Sequence, residues 1–414
     1  MDRGMRMRNT VVRGADILLP AAGVAPEKWA VVAVDQYTSE PEYWRQVEEN
    51  VKDAPSALRL VLPEVYLAEG DARIPGMQAR MREYLSDGTL TERVQGGYIL
   101  VERTTPSGVR LGLMACLDLE AYDYAADSRS PIRATEGTVL ERVPPRVRLR
   151  RGAALELPHI LMLLDDPEAR AIEPLYAQRA AFELLYDFEL MQGGGHLRGW
   201  QVGGAAARQL EDALDALYDA CGGLFLAVGD GNHSLAAARA RWLELREALP
   251  EAERENHPAR YALAEIENLH SPAIQFAPIH RLVTGVDPRA LAQYCLKALE
   301  DQHLAPGEAG ALTLVSQGQE ARYGFDRHPL KALQGALDDY LSAHPEAKID
   351  YIHGDETLRR LANRSDALGL MPCAFEKAGL FPFIRSWGAL PRKTFSMGQA
   401  NEKRFYFEAR KIEK

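Results

Sequence analysis

The stretch VGDGNHSLAAARARW, residues 228–242, decides the fold. An apolar run, Leu224 to Val228, meets Gly229-Asp230-Gly231-Asn232-His233-Ser234 and then an alanine-rich helical pattern. That order reads as strand, glycine turn, helix. Gly229 and Gly231 admit positive φ and close backbone approach. The first helical turn leaves amides unbonded, and its dipole favours an anion. Asn232 or Ser234 can cap the helix. Asp230 can hold a cation or take a proton, and His233 can donate to a phosphoryl oxygen or act as a base. The same six residues also read as a plain turn with a capping Asn and a His satisfied in the core.

Working outward, the pattern is mixed. Residues 28–34, KWAVVAV, read as a buried strand ending at Asp35, where α/β proteins place ligands. Ser39-x-x-Glu42 matches a capping box, with Pro41 in the first turn of a helix. The segment from Gly96 to Leu119 reads as a hairpin around a TTPSG turn. ELPHILMLLDD predicts a strand, and residues 171–190, AIEPLYAQRAAFELLYDFEL, a helix. RVRLRR, residues 146–151, alternates like a strand with Arg146, Arg148 and Arg150 on one face. From about residue 306 the pattern changes to a hairpin, short helices and short strands, ending on a strand in RFYFEARKI. The expectation is an α/β mixed (α+β) fold with mixed sheets. A main domain over residues 1–305 carries the glycine turn, and a smaller C-terminal α/β portion spans 306–414.

Composition narrows the class. The chain has 414 residues, 46% hydrophobic and 26% charged, enough for a sizeable core. Its net charge of -10 argues against a nucleic-acid partner, while leaving room for a local positive pocket. The 4 cysteines lie far apart with no metal-finger spacing, so each reads as a small buried hydrophobe in a reducing, cytoplasmic setting. No apolar run reaches a membrane span of about 20 residues. The N-terminal segment reads as mature protein and not as a signal peptide. Oligomerisation is left open.

Three further segments carry candidate chemistry. Ser128 to Gly152 concentrates Arg129, Arg133, Arg142, Arg146, Arg148, Arg150 and Arg151. Guanidinium forks suit phosphate, and Arg133-x-x-Glu136 sets a carboxylate beside one; the alternative is a solvated face of surface ion pairs. His270 and His280 sit on short strands, where a core role is the ordinary reading. His233, His270 and His280 with Asp230 could be imagined as zinc ligands, but their spacing matches no metal motif. LPRKTFSMGQANEKRFYFE holds Arg392, Lys393, Ser396, Asn401, Lys403 and Arg404 in a connection between apolar elements. Lys393 or Arg404 could reach the main pocket, or the segment is a solvated loop. There is no Gly-Lys-Ser or Gly-Lys-Thr of a P-loop, no third glycine for a dinucleotide fingerprint where Ser234 stands, and no G-x-S-x-G elbow.

IRATEGT, ERVPPRV, ELPHI, GDGNHSLA, PIHR and LPRKTFSMGQANEKRF, in this order, resemble the domain of unknown function 1015 family over nearly the whole chain. More distantly, the turn resembles the phosphate-binding turn of the ParB-like and sulfiredoxin-like fold, which includes free serine kinases. The resemblance implies a phosphate cradle at Gly229, Asp230, Gly231, Asn232, His233 and Ser234. It implies phosphoryl transfer from ATP, ADP or pyrophosphate to a serine-like hydroxyl acceptor, with Mg²⁺. Arg133, Arg142 and Lys393 would bind phosphate, Asp230 would hold the metal, and Glu136, Asp230 or His233 would do proton work. Asp35 and His280 would face the acceptor. The family's usual motif is Asp-Gly-His-His-Arg; here Ser234 takes the arginine's place, so another arginine such as Arg133 must supply the charge. A non-catalytic nucleotide-binding regulator and a metal-dependent phosphate-ester hydrolase use the same residues.

Overall fold

The computed structural model describes residues 11–38 and 40–413. Ser39, on which the expected capping box rests, lies outside the described residues. The chain forms two compact units: residues 1–274 with 399–414, and residues 275–398. The expected boundary at 305/306 therefore differs from the observed one at both ends. The strand Phe276–Thr284 pairs with Ala367–Pro372, Lys348–His353 and Phe395–Met397, which draws it into the second unit. The last 16 residues return to the first unit.

The first unit is built on a mixed sheet of eleven strands. Its antiparallel half is the long hairpin Leu90–Thr105 and Gly108–Asp118, flanked by His196–Val202 and Leu184–Glu189. The strand Tyr261–Asn268 pairs antiparallel with that hairpin and parallel with Leu161–Leu164. Leu226–Asp230 runs antiparallel to Leu161–Leu164 and parallel to Ile132–Ala134. This last arrangement positions the glycine turn, because the register sets Asp230 opposite Leu161. The start of one strand and its lead-in, His159-Ile160, thus lie beside the end of the other.

One sheet face packs Met162, Val228, Ala264 and Ile266 against the helices Gly204–Ala220 and Asn232–Ala248. The other buries Val101, Met114 and Leu263 with Trp29, Trp44 and the C-terminal Phe405-Tyr406-Phe407. Full burial of each such side chain stabilises the fold by about 1.5–3 kcal/mol.

Several local expectations change. RVRLRR falls in the helix Val143–Arg150, which Pro144 and Pro145 open from its first turn. Arg146 and Arg150 therefore share a face at a spacing of four residues, and Arg148 points to solvent. Residues 171–190 hold a short helix, Glu173–Ala177, and a 3-10 turn, Arg179–Ala181, before the strand Leu184–Glu189. There Tyr186 and Phe188, two apart, bury themselves with strand period. KWAVVAV supplies the end of a short helix, Pro26–Trp29, and the strand Val31–Val32. That strand pairs with Phe405–Tyr406, so RFYFEARKI forms two short strands with separate partners, the other being Arg410–Lys411 against Leu155–Glu156.

The second unit has a six-stranded antiparallel sheet centred on Phe276–Thr284 and Ala367–Pro372. The helices Pro288–Asp301 and Leu330–Ala343 bury Leu291, Cys295, Leu299, Leu333 and Leu337 on it. Among the described residues, no helix is long and apolar enough to cross a membrane.

Candidate functional site

The strand Leu226–Asp230 ends on the predicted carboxylate, and Gly231 takes a left-handed conformation, φ 77°, as cap of the 17-residue helix Asn232–Ala248. Gly231 is required twice over. A Cβ there would lie 2.9 Å from Ile160 Cα, and the backbone angle is one that L side chains rarely adopt. The close approach draws the lead-in strand, with His159, against the turn.

Both oxygens of Asp230 are engaged. Oδ1 accepts the Gly231 amide at 2.9 Å, and Oδ2 lies 3.0 Å from Lys403 Nζ. Burial works to raise its pKa, but Lys403, His159 and the Gly231 amide outweigh burial and hold the carboxyl below its ordinary value. Lys403 reaches the turn because Arg103 pins its segment, donating to the carbonyls of Asn401, Glu402 and Lys403.

His159 is buried between two hydroxyls. Its Nδ1 lies 2.7 Å from Tyr406 Oη and its Nε2 3.2 Å from Ser234 Oγ. Tyr406 Oη accepts the Val34 amide at 3.3 Å. A neutral imidazole can take the phenol hydrogen on Nδ1 and present its own on Nε2 to Ser234, whereas a protonated ring donates to both hydroxyls. These hydrogen bonds end at a cleft whose polar lining is His159, Ser234, Tyr406, Glu64, Arg146, Arg150 and Glu156. Its apolar lining includes Leu62, Leu67, Met77, Met81 and Leu149. Arg146 contacts the Glu64 carboxylate and donates to the Arg142 carbonyl at 2.8 Å. Burial lowers the Arg146 pKa, with Asp35 and Tyr406 opposing the shift.

The predicted residues divide. Asp230, Gly231 and Ser234 stand where expected, and Gly229 lies in the strand's last turn-ward step. Asn232 ties the turn to residues 136–138 through the Glu136 carbonyl, 3.3 Å, and Thr138 Oγ1, 2.9 Å. His233 Nε2 accepts the Val139 amide at 3.2 Å. These bonds bring Glu136 beside the helix start. Asp35 follows the strand Val31–Val32, within electrostatic reach of Arg146 and Tyr406.

Arg133 is not brought to the turn. Its guanidinium is buried and donates to Ser130 O at 2.8 Å and Gly223 O at 2.7 Å, toward the start of the strand that Asp230 ends. The Arg142 side chain is exposed, and only its carbonyl serves the site. Lys393 and His280 belong to the second unit, where His280 Nε2 lies 2.9 Å from Asp355.

His159, Tyr406 and Glu64 were not singled out from sequence, and Arg146 and Lys403 were named in candidate segments without a role at this turn. ELPHI and ANEKRF contain two of them, His159 and Lys403, but nothing local separates Lys403 from Lys393 or His159 from His233.

The donor set does not fit a metal held by the protein alone. Asp230 is committed to an ammonium and an amide, His233 to an amide and His270 to Asp165 at 2.8 Å. Among the described residues no group of three His, Cys, Asp or Glu side chains is placed to hold an ion.

A family model described as "Protein of unknown function (DUF1015)" matches residues 18–348. The chain belongs to that family. No curated protein matches it. Among solved structures, a mutant free serine kinase in complex with ADP is similar at 10% identity and TM-score 0.39, over 72% of this chain and 92% of that one. A conserved hypothetical protein from Pyrococcus furiosus matches at 10% identity and TM-score 0.35, over 69% and 90% of the two chains. SbnI with a C-terminal truncation, from Staphylococcus aureus, matches at 9% identity and TM-score 0.35, over 69% and 82%. The functional reading that follows rests on this chain's own residues.

Proposed function

We propose that the cleft beside the glycine turn binds a nucleotide or related phosphorylated small molecule, and that the protein transfers a phosphoryl group from it to a small hydroxyl compound. The observation that carries the reading is the mixed lining of the cleft. Its apolar residues suit a nucleobase, and Arg146 with Ser234, in the first turn of a long helix, suits phosphates.

Transfer needs positioning and charge stabilisation more than covalent chemistry. Lys403 and Arg146 supply positive charge in place of the family's arginine at position 234. The acceptor oxygen bonds to phosphorus, the bond to the leaving phosphate breaks, and the hydroxyl proton goes to Asp230. Pairing with Lys403 keeps Asp230 a weak base. When the ammonium turns to the donor phosphates, that pairing is lost and the carboxylate becomes more basic. Mg²⁺ would arrive with the donor, and no step here is routed through it.

Thermal unfolding with ATP, ADP, AMP and pyrophosphate, with and without Mg²⁺, tests binding. A rise in Tm that vanishes in Lys403→Ala and Arg146→Ala is expected; no rise with any of them sinks the reading. Incubation with labelled donors and a panel of hydroxyl compounds, L-serine first, tests transfer. The fully engaged Asp230 favours a second reading, a non-catalytic sensor of the same ligands. Asp230→Asn separates the two, because a sensor keeps its ligand-induced shift and shows no transfer in either form.

A further inference from the structure

On the first unit lies a second groove, lined by Arg13, Asp16, Glu92, Cys116, Arg410 and Lys411 among others. Its charges are unevenly satisfied. Asp16 accepts the Gly96 amide at 2.7 Å, and Glu92 accepts Gln95 at 2.8 Å. Neither forms an ion pair with a cation of the groove among the described residues, although the Asp16 charge is felt by Arg410. Arg13 stacks on the Tyr261 ring at 3.3 Å and has no acidic partner among the described residues, nor has Lys411. Arg410 is buried; its Nε donates to Glu156 and its Nη2 to the Pro258 and Tyr261 carbonyls, which leaves Nη1 without a protein acceptor among the described residues.

Glu156 gives this groove a second property. Its carboxylate, buried, takes Arg410 on Oε1 at 2.8 Å and Arg150 on Oε2 at 2.6 Å, with the Leu263 amide also on Oε1 at 2.9 Å. Arg150 lines the first cleft and Arg410 the second. The three groups carry one net positive charge between two cavities. An anion at either end neutralises part of that charge, so the other end attracts an anion less, and in a poorly screened interior the effect persists over this distance.

We propose that the groove of Arg13, Arg410 and Lys411 is a second site, taking a compact polyanion, and that Glu156 links it to the first cleft with negative coupling. The site stands independently of the reaction proposed above. Its ligand is recognised by oxyanion chemistry shared by polyphosphates and polycarboxylates, and the test carries both as separate arms.

Calorimetric titration with pyrophosphate, and separately with citrate, is run at fixed ionic strength on four proteins. Three are the wild type, Arg13→Ala/Lys411→Ala, which alters exposed groove residues, and Arg146→Ala, which alters the first cleft; a fourth protein combines all three substitutions. The expected result is binding retained by Arg146→Ala, and a loss of at least tenfold in that affinity when Arg13→Ala/Lys411→Ala is added. Absence of binding to Arg146→Ala, or binding there that the groove substitutions leave unchanged, overturns the site, whatever the first cleft does. The arm with the higher affinity identifies the ligand class. With both sites intact, the second binding step in the wild type is expected to be several-fold weaker than in the single-site variants. A wild-type isotherm that equals the sum of the two single-site isotherms overturns the link. Circular dichroism of each variant checks that it remains folded.

Discussion

Lys403 and Arg404 are neighbours in sequence with opposite fates. Arg404 is buried and fully used: it pairs with Glu265 and Glu408, donates to the Pro158 carbonyl and approaches Met114 sulfur. Burial opposes its charge, but Glu408 and Glu265 outweigh burial and raise its pKa. Among the described residues Lys403 has one ionic partner, Asp230, and both remain partly open to solvent. Two basic side chains on one short segment thus do different jobs. The saturated one fixes the strand Phe405–Tyr406 to the sheet, and the singly paired one can exchange its partner for a ligand.

The contrast breaks most visibly at Arg404. Arg404→Ala strands two buried carboxylates and is expected to cost roughly 3–5 kcal/mol, read as a lower urea midpoint. An effect as small as that of Lys403→Ala would erase the distinction.

Glu267 sharpens it from the other side. It is a buried carboxylate with neither oxygen hydrogen-bonded and Arg110 Nε 3.6 Å away. Burial pushes its pKa up to about 7, with Arg110 opposing and Glu265 adding to the rise. A raised carboxyl pKa means the folded state binds the extra proton. Its contribution is fully present below the unfolded pKa near 4.3 and is lost as pH rises through about 7. Glu267→Gln is therefore expected to be more stable than wild type at pH 8, by roughly 1–3 kcal/mol, and to differ less at pH 5. Denaturant curves at the two pH values read the difference; a larger gain at pH 5 would contradict the assignment.

Tyr406→Phe removes the hydroxyl that bonds His159 Nδ1. A cost of about 1–2 kcal/mol is expected, together with a change in the tautomer balance of His159 visible in its ring nitrogen shifts. An unchanged imidazole spectrum would mean the phenol does not set the tautomer.

The smallest stability effect is expected at Lys403→Ala, about 1 kcal/mol or less at neutral pH. Its signature is the pH dependence. The depressed pKa of Asp230 contributes stability above the ordinary aspartate pKa, near 4, which is lost as pH falls through the lower folded value. The wild type is expected to keep its advantage over the variant at neutral pH and to lose it on acidification. An advantage that grows in acid would remove the ion pair from the account.

Much of the turn was legible without coordinates. Gly231 between an apolar run and an alanine-rich helix announces a strand-to-helix turn, since only glycine fits the left-handed step. The Leu90–Asp118 hairpin was equally readable from two apolar runs about a short turn. RVRLRR was misread because its period-two alternation was weighed above the two prolines that begin a helix. Arg133 misled for a different reason. Its spacing from Glu136 fixes a place along a strand, but the two residues use different atoms at different ends of the local structure.

Sequence alone determined the strand–glycine–helix element, the mixed α/β class and the family, because these depend on local conformational preference and on the order of motifs along the chain. Tertiary structure alone decided that His159, Lys403 and Tyr406 meet Asp230 while Arg133 turns away. The register of Asp230 on Leu161 brings in His159, and the return of the C-terminal segment to Val31–Val32 brings in Lys403 and Tyr406, all distant in sequence from the turn. Which basic or imidazole side chain arrives is set by strand pairing and burial, and neither is written in the residue's own neighbourhood.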